Sequence, residues 1–404
     1  MRSNMMNNVL KLIAIAGVLS YAGLSSAADV YLKAVAFDKD IPNNDGMGGS
    51  IPVRMWGFAE CDSTFTTCDP VSSPGPRIEI DLATDSSLTI HVENTLDDPV
   101  SVMIPGLGGD GSPVMFTDGL GRERVRSLTH ETNPGEMNSY TWTLRQGTFL
   151  YHSATAAQLQ VPMGLYGALV VRDGAAAYPG VTPDSEALLL MSEVDPIQNG
   201  RVDAAAAGPG LPTQACVPIA EFANDGTPGY PCTIDYYPVI TLVNGNPTAD
   251  LGSAITAGDQ VLLRMLNAGQ RTHVPSIVNV EMDLIAEDSF RYPGTPRRQA
   301  QAALAAGKTL DALIQTASGA ANITLSVFDR QPTFNNETIP NGGALGGIIV
   351  GTGTPPPSAP TTYAVDDVYT VPEDATPYAG ANVLDNDIGL TGPTTVSVVT
   401  DVSN

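Results

Sequence analysis

Short apolar runs recur along the chain, and turn-forming residues separate them. Residues 78–82 and 88–92 alternate apolar and polar side chains, as half-buried β-strands do. Residues 147–151 and 165–171 are apolar at nearly every position, which is typical of strands buried on both faces. The alanine-rich residues 297–306 form the clearest helical pattern. The chain is therefore predicted to be an all-β protein of many short strands.

The same plan of strands occurs twice. After Val171, residues 186–194 open a second series of apolar runs separated by turns. The 404 residues are enough for two to three domains, because a domain takes ~100–200 residues. We therefore predict a first domain over residues 29–180 and a second domain over residues 181–351.

The N-terminus has the pattern of a secretory signal. Arg2 and Lys11 precede the apolar run Leu12–Leu24, and small residues follow it. The run is too short to span a bilayer, which needs ~20 apolar residues. We predict a signal peptide over residues 1–28, no membrane span after its removal, and a mature protein that is secreted, periplasmic or at the cell surface.

Composition narrows the choice of partners. The chain carries 43 acidic and 19 basic residues, a formal net charge of -24, so nucleic acid is a poor partner. Hydrophobic residues make up 43% of the chain and charged residues 15%, which allows sizeable cores. With so many acids, a pair such as Glu193 and Asp195 carries no signal of its own.

The four cysteines form two local pairs in the sequence. The simplest of three connectivities joins Cys61 to Cys68 and Cys216 to Cys232. Such disulfides fit an exported protein. The alternative, a cysteine ligand to copper, is disfavoured because no cysteine adjoins a histidine.

Two stretches resemble the cupredoxin domains of multicopper oxidases, the laccase-like family. The end of the first domain matches in Gly147-Thr148-Phe149, Tyr151-His152-Ser153, Gln158 and residues 164–170 (GLYGALV). There the family's HSH pair is incomplete, because Ala154 stands at the second histidine.

The second domain resembles the next domain of the family in Val243-Asn244-Gly245, Gly258-Asp259 and residues 264–269 (RMLNAG). Residues 307–316 (GKTLDALIQT) are similar to a further strand of that domain. The resemblance implies two tandem cupredoxin-like Greek-key β-sandwiches, to which we add a short β-rich C-terminal segment.

The resemblance also implies which copper ligands should be present. The family's three-copper cluster uses eight histidines in four HxH pairs, but this chain has four histidines and no HxH pair. Met103 and Pro105 stand where two of them belong. His152 is the one retained ligand, so copper, if bound, is expected at His152 with His130. Met103 and Met163 are an alternative for reduced copper.

The other histidines and the basic cluster have simpler interpretations. His91 and His273 are expected to be solvated surface or loop residues. Arg122, Arg124 and Arg126 alternate on one face of an extended segment, and in so acidic a chain we expect them to pair with carboxylates rather than bind an anion.

The C-terminal part differs in composition. Residues 352–362 are a linker rich in proline, serine and threonine, and residues 363–404 resemble the start of an Ig-like or cadherin-like repeat of bacterial surface proteins. That partial repeat carries oxygen ligands suited to calcium, although not in EF-hand spacing. They are Asp366, Asp367, Glu373, Asp374, Asp385 and Asp387.

Two functions follow as hypotheses. The favoured one is an exported multicopper-oxidase-like protein that has lost oxidase chemistry, needs no cofactor, and acts as a binding or structural module for an unknown protein or cell-surface partner. The alternative is a divergent oxidase or copper-binding protein with a residual copper site near His152.

Overall fold

The computed structural model describes residues 26–43, 49–118, 120–206, 236–319, 322–331, 335–336, 339–340 and 344–351. Residues 1–25 of the predicted signal peptide lie outside the described residues. The pair Cys216 and Cys232, the predicted linker and the predicted C-terminal repeat also lie outside them.

The first half of the described chain forms a β-sandwich. One sheet has the order β2-β1-β4-β7, the facing sheet has the order β3-β9-β8, and a separate hairpin pairs β5 with β6. The strands are β1 (Ser26–Asn43), β2 (Gly49–Cys61), β3 (Ile78–Asp81), β4 (Asp85–Asn94), β5 (Val114–Thr117), β6 (Glu123–Ser127), β7 (Met137–Thr143), β8 (Gly147–His152) and β9 (Tyr166–Arg172).

The second half forms another sandwich. Its larger sheet has the order β11-β10-β13-β18-β15-β16 with β17 also on β15, its smaller sheet has the order β12-β22-β19-β14, and β20 pairs with β21. The strands are β10 (Ser185–Val194), β11 (Ile240–Val243), β12 (Thr248–Ile255), β13 (Gln260–Asn267), β14 (Pro275–Ile277), β15 (Met282–Glu287), β16 (Phe290–Arg291), β17 (Arg297–Gln299), β18 (Thr309–Gln315), β19 (Ile323–Asp329), β20 (Asn335–Asn336), β21 (Ile339–Pro340) and β22 (Leu345–Val350).

The two sandwiches share a topology. In the first, β1 runs parallel to β4 and β3 runs parallel to β9. In the second, β10 runs parallel to β13 and β12 runs parallel to β22. The repeated strand plan seen in the sequence therefore corresponds to a repeated pairing of strands, and the prediction of an all-β protein is confirmed.

Both sandwiches end an equivalent strand with a buried asparagine. Asn94 closes β4 and donates through Nδ2 to the Thr132 carbonyl (2.9 Å), while Asn267 closes β13 and donates to the Leu304 carbonyl (3.0 Å). The Oδ1 atom of each accepts the N–H two residues later, at 2.9 and 2.8 Å. Because each amide satisfies backbone groups that turn away from the sheet, it fixes the turn that follows.

Helices are few in the described part. Helix α1 (Ala157–Met163) fills the connection from β8 to β9, and α2 (Pro196–Ala206) packs against β2. No described helix has the length and apolar character needed to cross a membrane.

The predicted helix over residues 297–306 is wrong. Residues 297–299 form β17, which pairs with β15, and Ala302 and Leu304 are buried in the core of the second sandwich. Helix propensity is a weak preference that tertiary pairing overrides.

The sandwiches pack on each other through apolar contacts at two places. The far end of the β1–β2 hairpin reaches the second sandwich, where its apolar residues join those of β10 and β11. A second contact lies around β8 and β9. The buried residues at the hairpin contact are Ile41, Val53, Met55, Val194, Ile240 and Leu242; those at the other contact are Leu150, Tyr166, Ala168, Leu190, Leu266 and Ala268.

Candidate functional site

His152 lies at the end of β8, where the chain turns toward α1. Its Nδ1 atom is 2.8 Å from the carbonyl oxygen of Ser153. A carbonyl oxygen only accepts, so Nδ1 carries the proton and Nε2 has a free lone pair. Burial lowers the pKa of His152 below its usual 6.5, which keeps the ring neutral at pH 7.

The Nε2 atom of His152 has no hydrogen-bond partner among the described residues. His152 lines a cavity of about 160 Å³ between the two sandwiches, which we call the His152 cavity. One wall comes from β8 and α1, and the other from the turn after β13 and from Gly307. Its lining residues are Leu150, His152, Ala157, Gln158, Val161, Pro162, Ala268, Gly269, Gln270 and Gly307.

A second cavity, of about 390 Å³, adjoins the first and shares Leu150 and Gly307 with it. Pro105, Phe149 and Phe290 are among its lining residues. The two cavities lie side by side between the sandwiches, and we call them together the interdomain cleft; Pro105 lines one part and His152 the other.

Arg145 lies against two aromatic residues that line the second cavity. Its guanidinium lies 5.0 Å from the ring centroid of Phe149 and 3.9 Å from that of Phe290. It donates to the backbone carbonyls of Gly106 (3.2 Å) and Asp288 (3.3 Å) and to that of Ser289. A cation from the first sandwich thus binds a turn of the second.

The other predicted copper ligands are placed apart from the cavity. Met103 is directly opposite His152 in an antiparallel backbone bridge, with N–O distances of 2.8 and 3.0 Å, but lines a different cavity of about 140 Å³. Met163 is buried in the core of the first sandwich. His130 stacks on Tyr140 at a centroid distance of 4.3 Å and does not line the His152 cavity.

These donors do not fit a three-copper cluster. Among the described residues, no group of three or more His, Cys, Asp or Glu side chains could hold a metal ion. At the missing second histidine, Ala154 is buried and donates its N–H to Ser101 Oγ (3.1 Å). The side chain at that position is a methyl group, which cannot bind a metal.

His273 contradicts the expectation of a solvated loop residue. It is 1% exposed, its Nδ1 is 2.7 Å from Asp329 Oδ2, and its Nε2 is 2.8 Å from Glu193 Oε1. Burial alone would lower the pKa of His273, but the hydrogen bonds and charges of the two carboxylates outweigh burial and raise the pKa to about 9. His273 is therefore a buried cation at pH 7.

Glu193 connects this cation to the His152 cavity. Its carboxylate accepts the backbone N–H groups of Gln270 (2.9 Å) and Arg271 (3.1 Å). Gln270 lines the cavity and donates through Nε2 to the Gln158 carbonyl of α1 (2.9 Å). We call His273, Glu193 and Asp329 the carboxylate–histidine triad. Sequence analysis missed it, because its members are far apart in the chain.

A buried polar cluster joins the two sandwiches next to the cleft. Thr148 of β8 donates through Oγ1 to Asp311 (2.8 Å) and accepts from Arg264 Nη1 (2.7 Å). Arg264 also donates to Glu186 through Nε (2.9 Å) and Nη2 (2.8 Å). Burial raises the pKa of Asp311, and Arg264 partly offsets it. Arg264 and Asp311, which lie in stretches that resemble the family, thus bind Thr148 and link the two sandwiches.

The remaining predicted residues have structural roles. Arg122 and Arg124 pair with Asp118 at 2.8 and 3.1 Å, and Arg126 pairs with Glu131, so the expected pairing of this basic cluster with carboxylates is observed.

His91 and the first cysteine pair are also in local contacts. His91 bridges Asp29 (3.0 Å) and Ser139 (2.7 Å) on the surface of the first sandwich. A disulfide joins Cys61 to Cys68.

This chain is similar to known proteins in sequence and in fold. Residues 64–176 match the family model for multicopper oxidase. The structure of the Blue Copper Oxidase from Nitrosomonas europaea is similar, with 15% sequence identity and a TM-score of 0.53. The match covers 80% of this chain and 86% of the oxidase chain. A multi-copper oxidase from Pseudomonas Thermotolerans is 21% identical with a TM-score of 0.52, covering 85% and 69%.

A third structure, the copper nitrite reductase from Nitrosomonas europaea, is 16% identical with a TM-score of 0.52, covering 80% of this chain and 94% of its own. No curated protein matches the chain. The structural likenesses show the fold. The cupredoxin-like all-β fold and the resemblance to multicopper oxidases are thereby confirmed.

Proposed function

We propose that this protein is an exported, multicopper-oxidase-like protein that has lost oxidase chemistry and acts as a binding or structural module. The proposal rests on which residues occupy the positions of the family's copper ligands. Met103, Pro105 and Ala154 stand where the family resemblance calls for histidines. These 404 residues contain four histidines and no HxH pair, so they do not supply the four HxH pairs of the cluster.

A blue-copper site would also need a cysteine thiolate. Such a site takes two histidines and a cysteine thiolate. Cys61 and Cys68 are consumed in a disulfide. The other two cysteines, Cys216 and Cys232, adjoin no histidine in the sequence.

Export is supported by independent features of the chain. The N-terminal residues have the order of a secretory signal. A disulfide persists in oxidising compartments and is rare in the cytosol. A cell-surface or extracellular partner for the module is consistent with both.

One observation favours a second candidate function, the binding of a single copper ion at His152. The Nε2 atom of His152 has a free lone pair, and Met103 is paired with His152 through the backbone, with its side chain in the wall of the neighbouring cavity of about 140 Å³. Imidazole and thioether donors together suit cuprous copper. Two donors are fewer than a redox site of this family uses, so this candidate predicts copper binding without oxygen reduction.

The experiment is copper analysis of the purified full-length protein after copper loading and desalting, together with an oxygen-uptake assay. We expect less than about a tenth of a copper per chain, since a real site binds near-stoichiometrically, and no oxygen uptake. Several coppers with oxygen uptake would refute the proposal.

Two variants separate the candidates. One copper per chain that disappears in His152→Ala and remains in His91→Ala would establish the copper-binding candidate. The control is matched because His91 is also a histidine of the first sandwich, but Asp29 and Ser139 engage both of its nitrogens.

A further inference from the structure

The His152 cavity has the size and lining of a site for one flat ring. Its volume of about 160 Å³ is close to that of an enclosed cavity that holds benzene in another protein, ~150 Å³, but the His152 cavity is open to solvent on one side. Most of its wall is apolar, including Leu150, Val161 and Pro162. The adjoining 390 Å³ cavity gives room for a substituent on the ring.

The polar groups of this cavity call for a ligand that donates. The carbonyl of Ser153 holds the proton of His152 on Nδ1, so Nε2 offers a lone pair. The side-chain amide of Gln270 already donates to the Gln158 carbonyl. The backbone N–H of Gln270 donates to Glu193.

The charged groups beside the cleft are already engaged. Lys308 lies 2.6 Å from Glu287 and 2.8 Å from Asp288. Arg145 donates to three backbone carbonyls. An anionic ligand would have to displace these contacts, which leaves neutral ligands as the better fit.

A donor-only ring fits better than a hydroxylated one. The indole N–H donates and has no acceptor atom, whereas a hydroxyl oxygen also carries lone pairs that need donors. Burying an acceptor without a partner costs free energy. The polar side chains of the wall are His152 and the glutamines Gln158 and Gln270, and both glutamines are exposed to solvent. The acceptor within the apolar part of the wall is therefore Nε2 of His152, which favours N–H rings.

We propose that the interdomain cleft binds a small neutral heteroaromatic molecule of the indole or pyrrole type, whose ring lies in the His152 cavity and whose N–H donates to Nε2 of His152. This inference rests on the proposed function, and it assigns that binding module a chemical class of ligand.

The test uses two probes of nearly identical shape, indole and benzofuran, in which an ether oxygen replaces the N–H. Dissociation constants for the full-length protein at pH 8 are measured by ligand-observed NMR. We expect saturable binding of indole and about 3- to 10-fold weaker binding of benzofuran, the range for one net hydrogen bond. Phenol serves as the hydroxylated comparison and is expected to bind more weakly than indole.

Three variants make the test specific. His152→Phe keeps a flat ring without the acceptor and should make indole and benzofuran bind equally. Ala157→Leu places a larger side chain in the cavity and should weaken both probes, while leaving His152 in place. His91→Phe removes a histidine outside the cleft and should change neither.

Equal affinity of the two probes for the wild-type protein, or a preference that survives in His152→Phe, would overturn the proposal. So would indole binding that Ala157→Leu leaves unchanged. The proposed function fails on a different result, stoichiometric copper with oxygen uptake, so the two failures are distinguishable.

Discussion

The two histidines His152 and His273 occupy opposite electrostatic environments in the same molecule. His152 meets a single backbone carbonyl and an open cavity, and burial keeps it neutral. His273 meets two carboxylates in a closed core, and their charge keeps it protonated. His152, the histidine that the family resemblance points to, thus makes few contacts, whereas His273, which belongs to no recognised motif, is bound on both sides by carboxylates.

The difference shows that the partners of a side chain, rather than its place in a motif, decide what it does. A neutral imidazole with a free nitrogen can accept from a ligand or a metal. A charged imidazole with both nitrogens engaged has no such capacity and instead offsets the cost of two buried carboxylates. Glu193 contacts both regions, because it lies beside His273 and also accepts the backbone N–H of Gln270, a lining residue of the His152 cavity.

The largest effect is expected from His273→Leu, which leaves Glu193 and Asp329 buried without their shared cation. Removing one partner of a buried ionic group costs about 3–5 kcal/mol. Urea unfolding followed by the circular dichroism of the β-sheets should show this loss at pH 7. A loss below about 1 kcal/mol would mean that the triad contributes little.

The next effect concerns pH. The folded pKa of His273 is about 9 and its unfolded value 6.5, so its contribution is complete below pH 6.5 and is lost as the pH rises through 9. The contribution lost over that window is about 3 kcal/mol, at 1.36 kcal/mol per pKa unit. The unfolding midpoint of the wild type should fall between pH 6.5 and 9.5 more steeply than that of His273→Leu. Parallel curves would contradict the charged state assigned to His273.

A smaller effect is expected from Glu193→Gln. The amide removes one of the two negative charges beside His273 and leaves Asp329 as its remaining carboxylate. It also has only one acceptor oxygen, so one of the N–H groups of Gln270 and Arg271 loses its partner, at about 1–3 kcal/mol. Hydrogen exchange of peptides covering residues 268–273 should accelerate, and ligand binding in the His152 cavity should weaken. Asp283→Asn, at a partly exposed pair with Arg298, is the control and should change neither.

The smallest effect on stability is expected from His152→Leu. The ring makes one hydrogen bond, to the Ser153 carbonyl, so its removal should cost about 1 kcal/mol or less. The same urea titration used for His273→Leu gives the comparison directly. A cost equal to that of His273→Leu would erase the distinction between the two histidines.

The fold was largely predictable because its signals are local. The apolar run at residues 165–171 predicts β9 (Tyr166–Arg172) almost to the residue, since a strand buried on both faces must be apolar throughout. The helix expected at residues 297–306 fails for the opposite reason. Pairing with β15 lies outside the local pattern and overrides it.

The candidate site was predictable only in part. His152 follows from the family resemblance, but its free nitrogen and its cavity depend on α1 and on the turn at residues 268–270. The triad required Glu193 and Asp329 to meet His273 from β10 and β19, and no spacing in the sequence encodes that meeting. A histidine between Thr272 and Val274 offers only a weak signal of burial.

The β1–β2 hairpin also has a consequence for the order in which the chain is made. Its far end is synthesised early, but the strands that cover it, β10 and β11, leave the ribosome much later. Until then Ile41, Val53 and Met55 have no apolar surface of the second sandwich to pack on. A nascent chain halted after the first sandwich therefore exposes the apolar tip of this hairpin, a surface prone to aggregation.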